Sequence, residues 1–305
     1  MPESWRRPSD AHLIGELRKK LADAGLTGSF LVRDLSDGRE IGIDPDVVYP
    51  VASLVKVPLA VAVLDRIHAG RLDGAMPVDV RPGPPASGFE AGLSQFRHAA
   101  RIAVDDLLYL CVAISDNPAA DALFALVPPA EVTDVLRRYG VTGIAARHPM
   151  RGNAQAPTPS DVLVAQTLAI GAREAGLDSG LPQLDVTRAN AGSARAYVDL
   201  LEALWRPSAI PSEVAARVRM LMRANTMRQR LGPDFISDAS TWSSKTGTLL
   251  NLRHEAGVVE HEDGAAYAVA ALTESNVPAA SQPAAEALMG HVARALHDHL
   301  HESGG

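Results

Sequence analysis

One long apolar stretch limits how this chain can fold. Residues 57–64 of the 305-residue sequence read Val-Pro-Leu-Ala-Val-Ala-Val-Leu, without a polar side chain. A helix over 53–69 would therefore be apolar all round through its middle, which is typical of a helix buried inside a molecule. Pro58 falls near its first turn, where few intrahelical hydrogen bonds are lost. We expect the rest of the chain to be arranged around this helix.

A serine and a lysine stand at the start of the predicted helix. Ser53 and Lys56 are three residues apart, a spacing that places both on one helical face with their Cβ atoms roughly 5–6 Å apart. A serine hydroxyl needs a neighbouring base to act as a nucleophile, and a lysine is such a base when burial or other cations lower its pKa. The pair predicts a nucleophilic Ser53 with Lys56 as its proton acceptor. The alternative is a helix cap followed by a solvated lysine.

Two further motifs follow in order along the chain. Ser-Asp-Asn occupies 115–117, and Lys-Thr-Gly-Thr occupies 245–248. Together with the Ser-x-x-Lys of Ser53 and Lys56 they form a three-part signature. With these motifs the chain resembles the class A β-lactamases and the related penicillin-binding transpeptidase domains, over nearly its whole length.

The resemblance implies a role for each residue of the second motif. Ser115 corresponds to the serine that passes a proton to the leaving nitrogen. Asn117 corresponds to the amide that binds a carbonyl of the substrate side chain and touches the lysine. Asp116 points away from the site in the family and is expected to hold its loop together. The alternative is a simple turn before Pro118, since Asp-Asn-Pro is a general helix breaker.

The third motif is expected to bind the substrate carboxylate. By the resemblance, Lys245 sets the electrostatics of that site and Thr246 hydrogen-bonds the carboxylate. Gly247 is predicted to let the substrate lie along the strand edge, because no Cβ stands in the way. The backbone N–H groups of Thr248 and Ser53 are predicted to form the oxyanion hole.

Several other residues are weaker candidates. Arg253 is either a second anchor for the carboxylate or a solvated charge on a strand. Cys111 is the only cysteine, which excludes an intrachain disulfide, and we expect a buried structural thiol. His297, His299 and His301 suggest a metal site, but only the first and last share a helical face. We predict a solvated tail there and no metal site.

The deacylating base is the one part of the resemblance for which the sequence has no exact motif. Class A β-lactamases carry a glutamate in an Ω-loop with the pattern Glu-x-x-Leu-Asn, and no match lies between Ser115 and Lys245. The nearest approach is Glu-Ala-Gly-Leu-Asp at 174–178. In one placement the loop ends before 158–161, which leaves Arg-His-Pro-Met at 147–150 in the glutamate's region, without an acid.

In a second placement the loop ends at 190–195, and a helical insertion precedes it. We favour this placement because the following sequence continues as the family helix does, and it brings Glu174 near the glutamate's position. Glu174 is then either the base or a solvated acid at a helix end. Asp178, Asp185 and His148 are weaker candidates. Without a base, acylation should persist and deacylation should be slow.

Strand patterns at both ends and helical patterns between them predict an α/β protein. We expect an antiparallel sheet, flanked by helices, that is built from residues 1–50 and 228–305. Residues 51–227 should form an inserted all-α half, with the active site in the cleft between the halves. This architecture is also the one that the resemblance implies.

Composition restricts the partners. The net charge is −7 and no basic patch is visible, which argues against nucleic acid. No apolar run reaches the length of a membrane span, and no signal peptide precedes the first helix. We therefore expect a cytoplasmic protein, or an exported one if the chain is trimmed. We predict no cofactor, a small-molecule substrate with a carboxylate, no membrane partner, and a monomer rather than an oligomer.

The sequence thus predicts a serine hydrolase of the β-lactamase type that forms an acyl-enzyme on Ser53. Its substrate would be a β-lactam or a related amide or ester with a carboxylate. One alternative is an esterase or acyltransferase of cytoplasmic or secondary metabolism on the same fold. Another is a slowly deacylating penicillin-binding protein without efficient turnover.

Overall fold

The computed structural model of the chain describes residues 9–82, 91–150, 159–174, 180–277 and 282–303. In these segments the strands are β1 (Leu26–Asp34), β2 (Glu40–Ile43), β3 (Val48–Pro50), β4 (Pro77–Val80), β5 (Ala100–Ala103), β6 (Ala191–Ser193), β7 (Ser240–Leu249), β8 (Leu252–His261) and β9 (Ala266–Ser275). The helices are α1 (Asp10–Asp23), α2 (Lys56–His68), α3 (Val104–Ala113), α4 (Asn117–Leu126), α5 (Pro129–Arg138), α6 (Pro159–Glu174), α7 (Ala194–Trp205), α8 (Ser212–Arg223), α9 (Gly232–Phe235) and α10 (Pro283–Glu302).

A five-stranded antiparallel sheet joins the two ends of the chain. Its order is β2-β1-β9-β8-β7, so the first two strands pair with the last three and β7 forms one edge. Strand β8 is buried over eight consecutive residues, since helices cover both faces of the sheet. The predicted α/β class, with an antiparallel sheet built from both ends, is confirmed. The part between the ends is not all-α as predicted, because β4 pairs with β5 and β6 pairs with β3.

The apolar core has one part on each face of the sheet. On one face α1 and α10 pack against the strands through residues such as Leu17, Phe30 and Leu296. On the other face lies the helical part of the molecule, with α2 in its centre. Every residue of α2 from Lys56 to Asp65 is buried, which explains why its sequence is apolar all round.

Ion pairs hold α7 to the sheet. Arg33 on β1 donates from Nη1 to Asp199 at 2.8 Å and to Glu202 at 2.7 Å, and its Nε donates to Glu40 on β2 at 3.0 Å. Arg195, near the start of α7, reaches the other oxygen of Glu40 at 2.5 Å. Because Arg33 and Arg195 share Glu40, these ion pairs form a network, and such a network fixes the position of α7 on the sheet better than isolated surface pairs would.

The C-terminal histidines differ from the prediction. His297 is 2% exposed, packs edge-on against Tyr267, and has its Nε2 3.3 Å from Nε2 of His261. The predicted solvated tail is therefore wrong at this residue, because α10 packs against β1, β2 and β9 and buries one face. Within the described segments, no group of three histidine, cysteine or acidic side chains is arranged to hold a metal ion.

The helices also bear on membrane association. In the parts of the chain that the structure describes, none is long and apolar enough to cross a bilayer.

Candidate active site

Ser53 lies in a short 3₁₀ turn, Ala52–Val55, that leads directly into α2. The turn is anchored on its N-terminal side, where the Val51 N–H donates to the Asn190 carbonyl at 2.8 Å. Ala52 has a φ of 48°, a left-handed conformation that non-glycine residues seldom adopt and that is often found at functional sites. The half-buried Ser53 is therefore presented by a constrained turn at the head of the central helix.

Lys56 brings the first two motifs together. Its side chain is completely buried, and Nζ donates to the Ser115 carbonyl at 2.5 Å and to Asn117 Oδ1 at 2.7 Å. The Ser115 hydroxyl lies 3.2 Å from the same nitrogen. A buried amine needs such acceptors. The link between α3 and α4, which carries Ser115, is therefore fixed relative to the 3₁₀ turn 52–55, which we call the nucleophile turn.

Lys245 joins the third motif to the same hydroxyl. It is also completely buried, and its Nζ donates to Ser115 Oγ at 2.9 Å and to the Thr246 carbonyl at 2.9 Å. Burial and the neighbouring Lys56 lower the pKa of Lys245 well below its usual range. The Ser115 hydroxyl thus lies between two amines and can accept from one while donating its own proton elsewhere.

Asp116 fixes the conformation of the second motif. Its Oδ1 accepts from the Ala119 N–H at 2.7 Å, capping α4, and its Oδ2 accepts from the Leu93 N–H at 2.6 Å. Burial raises the pKa of this carboxyl, although the backbone donors oppose the shift. Ser115 itself has a φ of 59°. The two hydrogen bonds of Asp116 fix the residue that follows Ser115, and so help to maintain the left-handed conformation of Ser115.

Gly247 is required by the packing of β7 against the nucleophile turn. A Cβ at this residue would lie 2.7 Å from the Val51 carbonyl oxygen and 3.3 Å from Leu54 Cγ. The glycine therefore lets the strand approach the turn that carries Ser53. This reason differs from the predicted one, which concerned space for substrate.

Arg230 belongs to the site and was missed by the sequence reasoning. This side chain is 2% exposed. Its Nη1 donates to the carbonyls of Gly247 at 2.8 Å and His254 at 2.7 Å, and Nη2 donates to Thr248 Oγ1 at 2.6 Å. Its Nε donates to Glu286 on α10 at 3.0 Å. No motif marks this arginine in the sequence, because it reaches the third motif from a separate segment before α9.

Arg253 is buried and not solvated. It is 3% exposed, and Nη1 donates to the carbonyls of Leu250 at 2.6 Å and Leu252 at 2.8 Å. Burial lowers the pKa of Arg253 to about 10. The alternative of a solvated strand charge is therefore wrong. The guanidinium holds the β7–β8 turn, in which Leu250 has a φ of 48°.

His254 connects β8 to the segment before Ser53. Its Nε2 lies 2.9 Å from the Pro50 carbonyl oxygen, and its Nδ1 accepts from the Thr273 N–H at 3.2 Å. These partners require a neutral imidazole with the proton on Nε2. Complete burial lowers the pKa of His254 to about 4, so the ring stays neutral and anchors this segment at neutral pH.

The segment in which the family's Ω-loop is expected has two ends that are bonded to each other. The Arg147 N–H donates to Asn190 Oδ1 at 2.7 Å, the Asn190 amide returns a bond to the His148 carbonyl at 3.1 Å, and Ala145 pairs with Ala191. The chain between Arg147 and Asn190 therefore leaves and returns at one place, and helix α6 lies between these two ends.

We call residues 149–189, between these ends, the insertion. Its helix α6 reaches the β7–β8 turn through Gln166, which is buried and donates from Nε2 to the Leu250 carbonyl at 2.9 Å. Leu163, Val164 and Leu168 on the same helix are more than half exposed.

The candidate bases of the insertion are not brought into the site by any described contact. Glu174 ends α6, and its side chain lies outside the described part of the structure, as does all of Asp178. Asp185 accepts from the Thr187 hydroxyl at 2.7 Å and from its N–H at 2.8 Å, and these bonds lower the pKa of Asp185. His148 Nδ1 lies 2.7 Å from the Pro149 carbonyl oxygen.

Comparisons with known proteins agree with this geometry. Residues 13–300 match the profile of the "Beta-lactamase enzyme family". The "Beta-lactamase regulatory protein BlaB" of Streptomyces cacaoi is 56% identical, and the aligned region covers 95% of this chain and 98% of that protein.

Solved structures share the fold at low sequence identity. PBP-A, in a mutant form described as an acyl-enzyme complex with penicillin G, has a TM-score of 0.74 at 19% identity, covering 97% of this chain and all of the other. The TLA-1 extended-spectrum β-lactamase gives 0.75 at 18% identity, covering 96% and 99%. A β-lactamase from Chitinophaga pinensis gives 0.74 at 19% identity, covering 94% and 98%. The fold is thus that of β-lactamases and penicillin-binding proteins.

Proposed function

Because this chain belongs to the β-lactamase enzyme family, we propose that Ser53 forms a covalent acyl-enzyme with a β-lactam or another amide or ester that carries a carboxylate. One observation carries the proposal. The Ser115 hydroxyl lies between the Nζ atoms of two completely buried lysines, Lys56 and Lys245, beside the turn that presents Ser53.

The acylation step follows from this arrangement. Ser53 Oγ attacks the substrate carbonyl carbon while a neutral Lys56 amine takes the hydroxyl proton. The C–O bond forms and the C–N bond of a β-lactam breaks. Ser115 Oγ donates its proton to the leaving nitrogen and is reprotonated from the lysines that contact it. A positioned proton relay of this kind contributes roughly 10²–10⁴-fold to the rate.

The remaining motif residues bind the substrate. We assign the carboxylate to the Thr246 and Thr248 hydroxyls beside Lys245, and the carbonyl oxygen to the backbone N–H groups of Ser53 and Thr248. The Thr248 hydroxyl accepts from Arg230, so its own proton can be directed to the carboxylate. Asn117 binds Lys56 through its oxygen, and its amide nitrogen is the end that can donate to a substrate carbonyl.

We place the substrate in the cleft between the α/β half, residues 1–50 and 228–305, and the helical half, residues 51–227. Lys245 comes from the first half, whereas Lys56 and Ser115 come from the second. A ligand that contacts all three therefore bridges the two halves.

We propose that the acyl-enzyme serves β-lactam sensing in the control of β-lactamase production. The support is the relative named as a β-lactamase regulatory protein, which is similar over nearly the full length of both chains. The lack of a Glu-x-x-Leu-Asn motif fits this role, because a sensor needs an adduct that lasts. The cytoplasmic location remains a prediction from the sequence.

A hydrolase with rapid turnover is the second candidate. The match to the family profile favours a hydrolase, as does the fold that this chain shares with the TLA-1 β-lactamase. Glu174 or another acid of the insertion would then supply the base. This candidate and the sensor share the acylation step and differ in the lifetime of the adduct.

Intact-protein mass spectrometry after mixing with penicillin G tests the acylation. We expect a stoichiometric adduct that persists, and none on a Ser53→Ala variant. A Ser303→Ala variant, which changes a serine just after α10, should behave like the wild type. An adduct that forms and vanishes quickly would favour the hydrolase. No adduct with penicillin or with carboxylated esters would contradict the proposal.

Complementation tests the regulatory role. A Streptomyces cacaoi strain without its own regulatory relative would express this chain or its Ser53→Ala variant. We expect the wild type to restore penicillin-dependent β-lactamase production and the variant not to. Equal restoration by both would show that acylation of Ser53 is not the signal.

A further inference from the structure

Glu255 is a completely buried carboxylate in the middle of β8. It is 0% exposed, and no motif includes it. Three groups donate to it: Trp242 Nε1 at 2.8 Å and Ser244 Oγ at 2.7 Å bind Oε1, and the Leu231 N–H at 2.9 Å binds Oε2. A carboxylate is retained in such surroundings only when donors and opposite charges offset its desolvation.

Two of the three donors to Glu255 are chain neighbours of Lys245 and Arg230, the basic residues at the third motif. Ser244 precedes Lys245 on β7, and Leu231 follows Arg230. The register pairs Glu255 with Thr246, so the carboxylate lies on the strand next to the motif. One buried group thus fixes the backbone beside both Lys245 and Arg230.

Charge links Glu255 to the same two residues. Lys245, Lys56 and Arg230 are buried basic side chains. Burial lowers the pKa of Lys245, and the neighbouring Lys56 and Arg230 lower it further. Glu255 acts in the opposite direction and raises the pKa of Lys245, whereas burial is the largest effect and lowers it. The positive charge of Arg230 in turn opposes the rise that burial causes in the pKa of Glu255.

We propose that Glu255 is a positioning residue for acylation, which holds the segments that carry Lys245 and Arg230 in place through its buried hydrogen bonds. The carboxylate does not touch substrate and acts through these two basic residues. The inference rests on the proposed acylation of Ser53 for its kinetic consequence, but not for its effect on Lys245.

The composition of the chain makes the effect on Lys245 measurable. The sequence has four lysines, of which Lys19 and Lys20 are on α1 and Lys56 and Lys245 are in the site. Incorporation of lysine labelled with ¹³C at Cε therefore gives four signals, and a Lys245→Arg variant identifies one of them. A pH titration by NMR then reports the protonation of Lys245 without any substrate.

The test compares Glu255→Gln with Glu260→Gln, a matched change at an exposed glutamate on the same strand. We expect the titration midpoint of Lys245 to fall in Glu255→Gln and to stay unchanged in Glu260→Gln. Acylation by penicillin G should slow by about 10²-fold, the effect of a small misplacement of reacting groups. Glu255→Asp, which keeps the charge, should restore the midpoint of Lys245 more fully than the acylation rate.

The outcomes separate the two proposals. An unchanged Lys245 midpoint in folded Glu255→Gln overturns the role of Glu255, whether or not penicillin reacts. A shifted midpoint with no acylation in the wild type supports the role of Glu255 and contradicts the proposed function. If Glu255→Gln does not fold, Trp242→Phe and Ser244→Ala each remove one donor. Unchanged acylation in both variants would then overturn the positioning role.

Discussion

The acylation centre and the insertion are built in opposite ways. In the centre, Lys56 and Lys245 are completely buried and meet at one hydroxyl, and the bonds of Asp116, Arg230 and His254 fix the surrounding backbone. In the insertion, α6 is attached through Gln166 and leaves large apolar side chains exposed. If Ser53 is acylated as proposed, the difference predicts that changes in the centre affect acylation more than changes in the insertion do.

The largest effect on acylation is expected when the Lys56 side chain is removed from the acylation centre. In Lys56→Ala the proton acceptor is lost, and the Ser115 carbonyl and Asn117 Oδ1 lose a buried donor. We expect acylation by penicillin G to slow by roughly 10²–10⁴-fold, measured as adduct formation by mass spectrometry. Lys19→Ala, on the exposed face of α1, serves as the control. Acylation at the wild-type rate would contradict the assignment of Lys56.

The next effect is a dependence of stability on pH that comes from His254. Its pKa is about 4 in the folded state and about 6.5 in the unfolded chain, so the unfolded state binds more protons between these values. Stability should therefore be fully present above pH 6.5 and fall as the pH drops towards 4, by about 3 kcal/mol for this one group.

Urea denaturation at pH 7 and at pH 4.5 checks this expectation in the wild type and in His254→Gln. The variant should lose less stability than the wild type between the two pH values. His12→Gln, at an exposed histidine of α1, should retain the full pH dependence. An equal loss in the wild type and in His254→Gln would contradict a neutral, buried His254.

Gly247→Ala tests how closely β7 approaches the nucleophile turn. The added Cβ would meet the Val51 carbonyl oxygen, and such overpacking typically costs about 1–3 kcal/mol. We expect that loss in urea denaturation together with slower acylation. Gly15→Ala on α1, where no atom lies within 4 Å of the added Cβ, should instead stabilise the protein slightly. Unimpaired acylation in Gly247→Ala would show that the nucleophile turn can move away from the added Cβ without loss of function, which would contradict the need for glycine at this residue.

The smallest effect is expected in the insertion. Gln166→Ala removes the hydrogen bond from the side-chain amide to the Leu250 carbonyl, which still accepts a hydrogen bond from Arg253. We expect a loss of about 1 kcal/mol or less, faster hydrogen exchange in α6, and an unchanged acylation rate. Thr167→Ala, an exposed neighbour on α6, is the control. Slower acylation in Gln166→Ala would show that the insertion contributes to acylation, which would contradict the contrast between the insertion and the acylation centre.

The sequence predicted those parts of the site that short motifs carry. The motifs and the resemblance predicted that Lys56, Ser115 and Lys245 share one site, and these residues meet in the structure. The buried central helix could be predicted from its apolar run. The antiparallel sheet could be predicted from the position of the strand patterns at both ends of the chain.

The missed residues depend on pairings between distant segments. His254 and Glu255 reach the site because the β7–β8 register sets them opposite Gly247 and Thr246, and a sequence pattern does not reveal register. Strand β3 pairs with β6 over three residues, which is too short for a recognisable pattern. The position of α6 between Arg147 and Asn190 follows from hydrogen bonds between residues far apart in the sequence, which local spacing does not reveal.

Pre-steady-state kinetics with a chromogenic cephalosporin test the central claim most directly, because they measure acylation and deacylation in one trace. We predict a burst of one product equivalent per protein molecule, followed by a much slower steady rate, with both phases absent in Ser53→Ala. A fast linear trace without a burst, or no product from the wild type, would contradict a pre-assembled acylation centre coupled to slow deacylation.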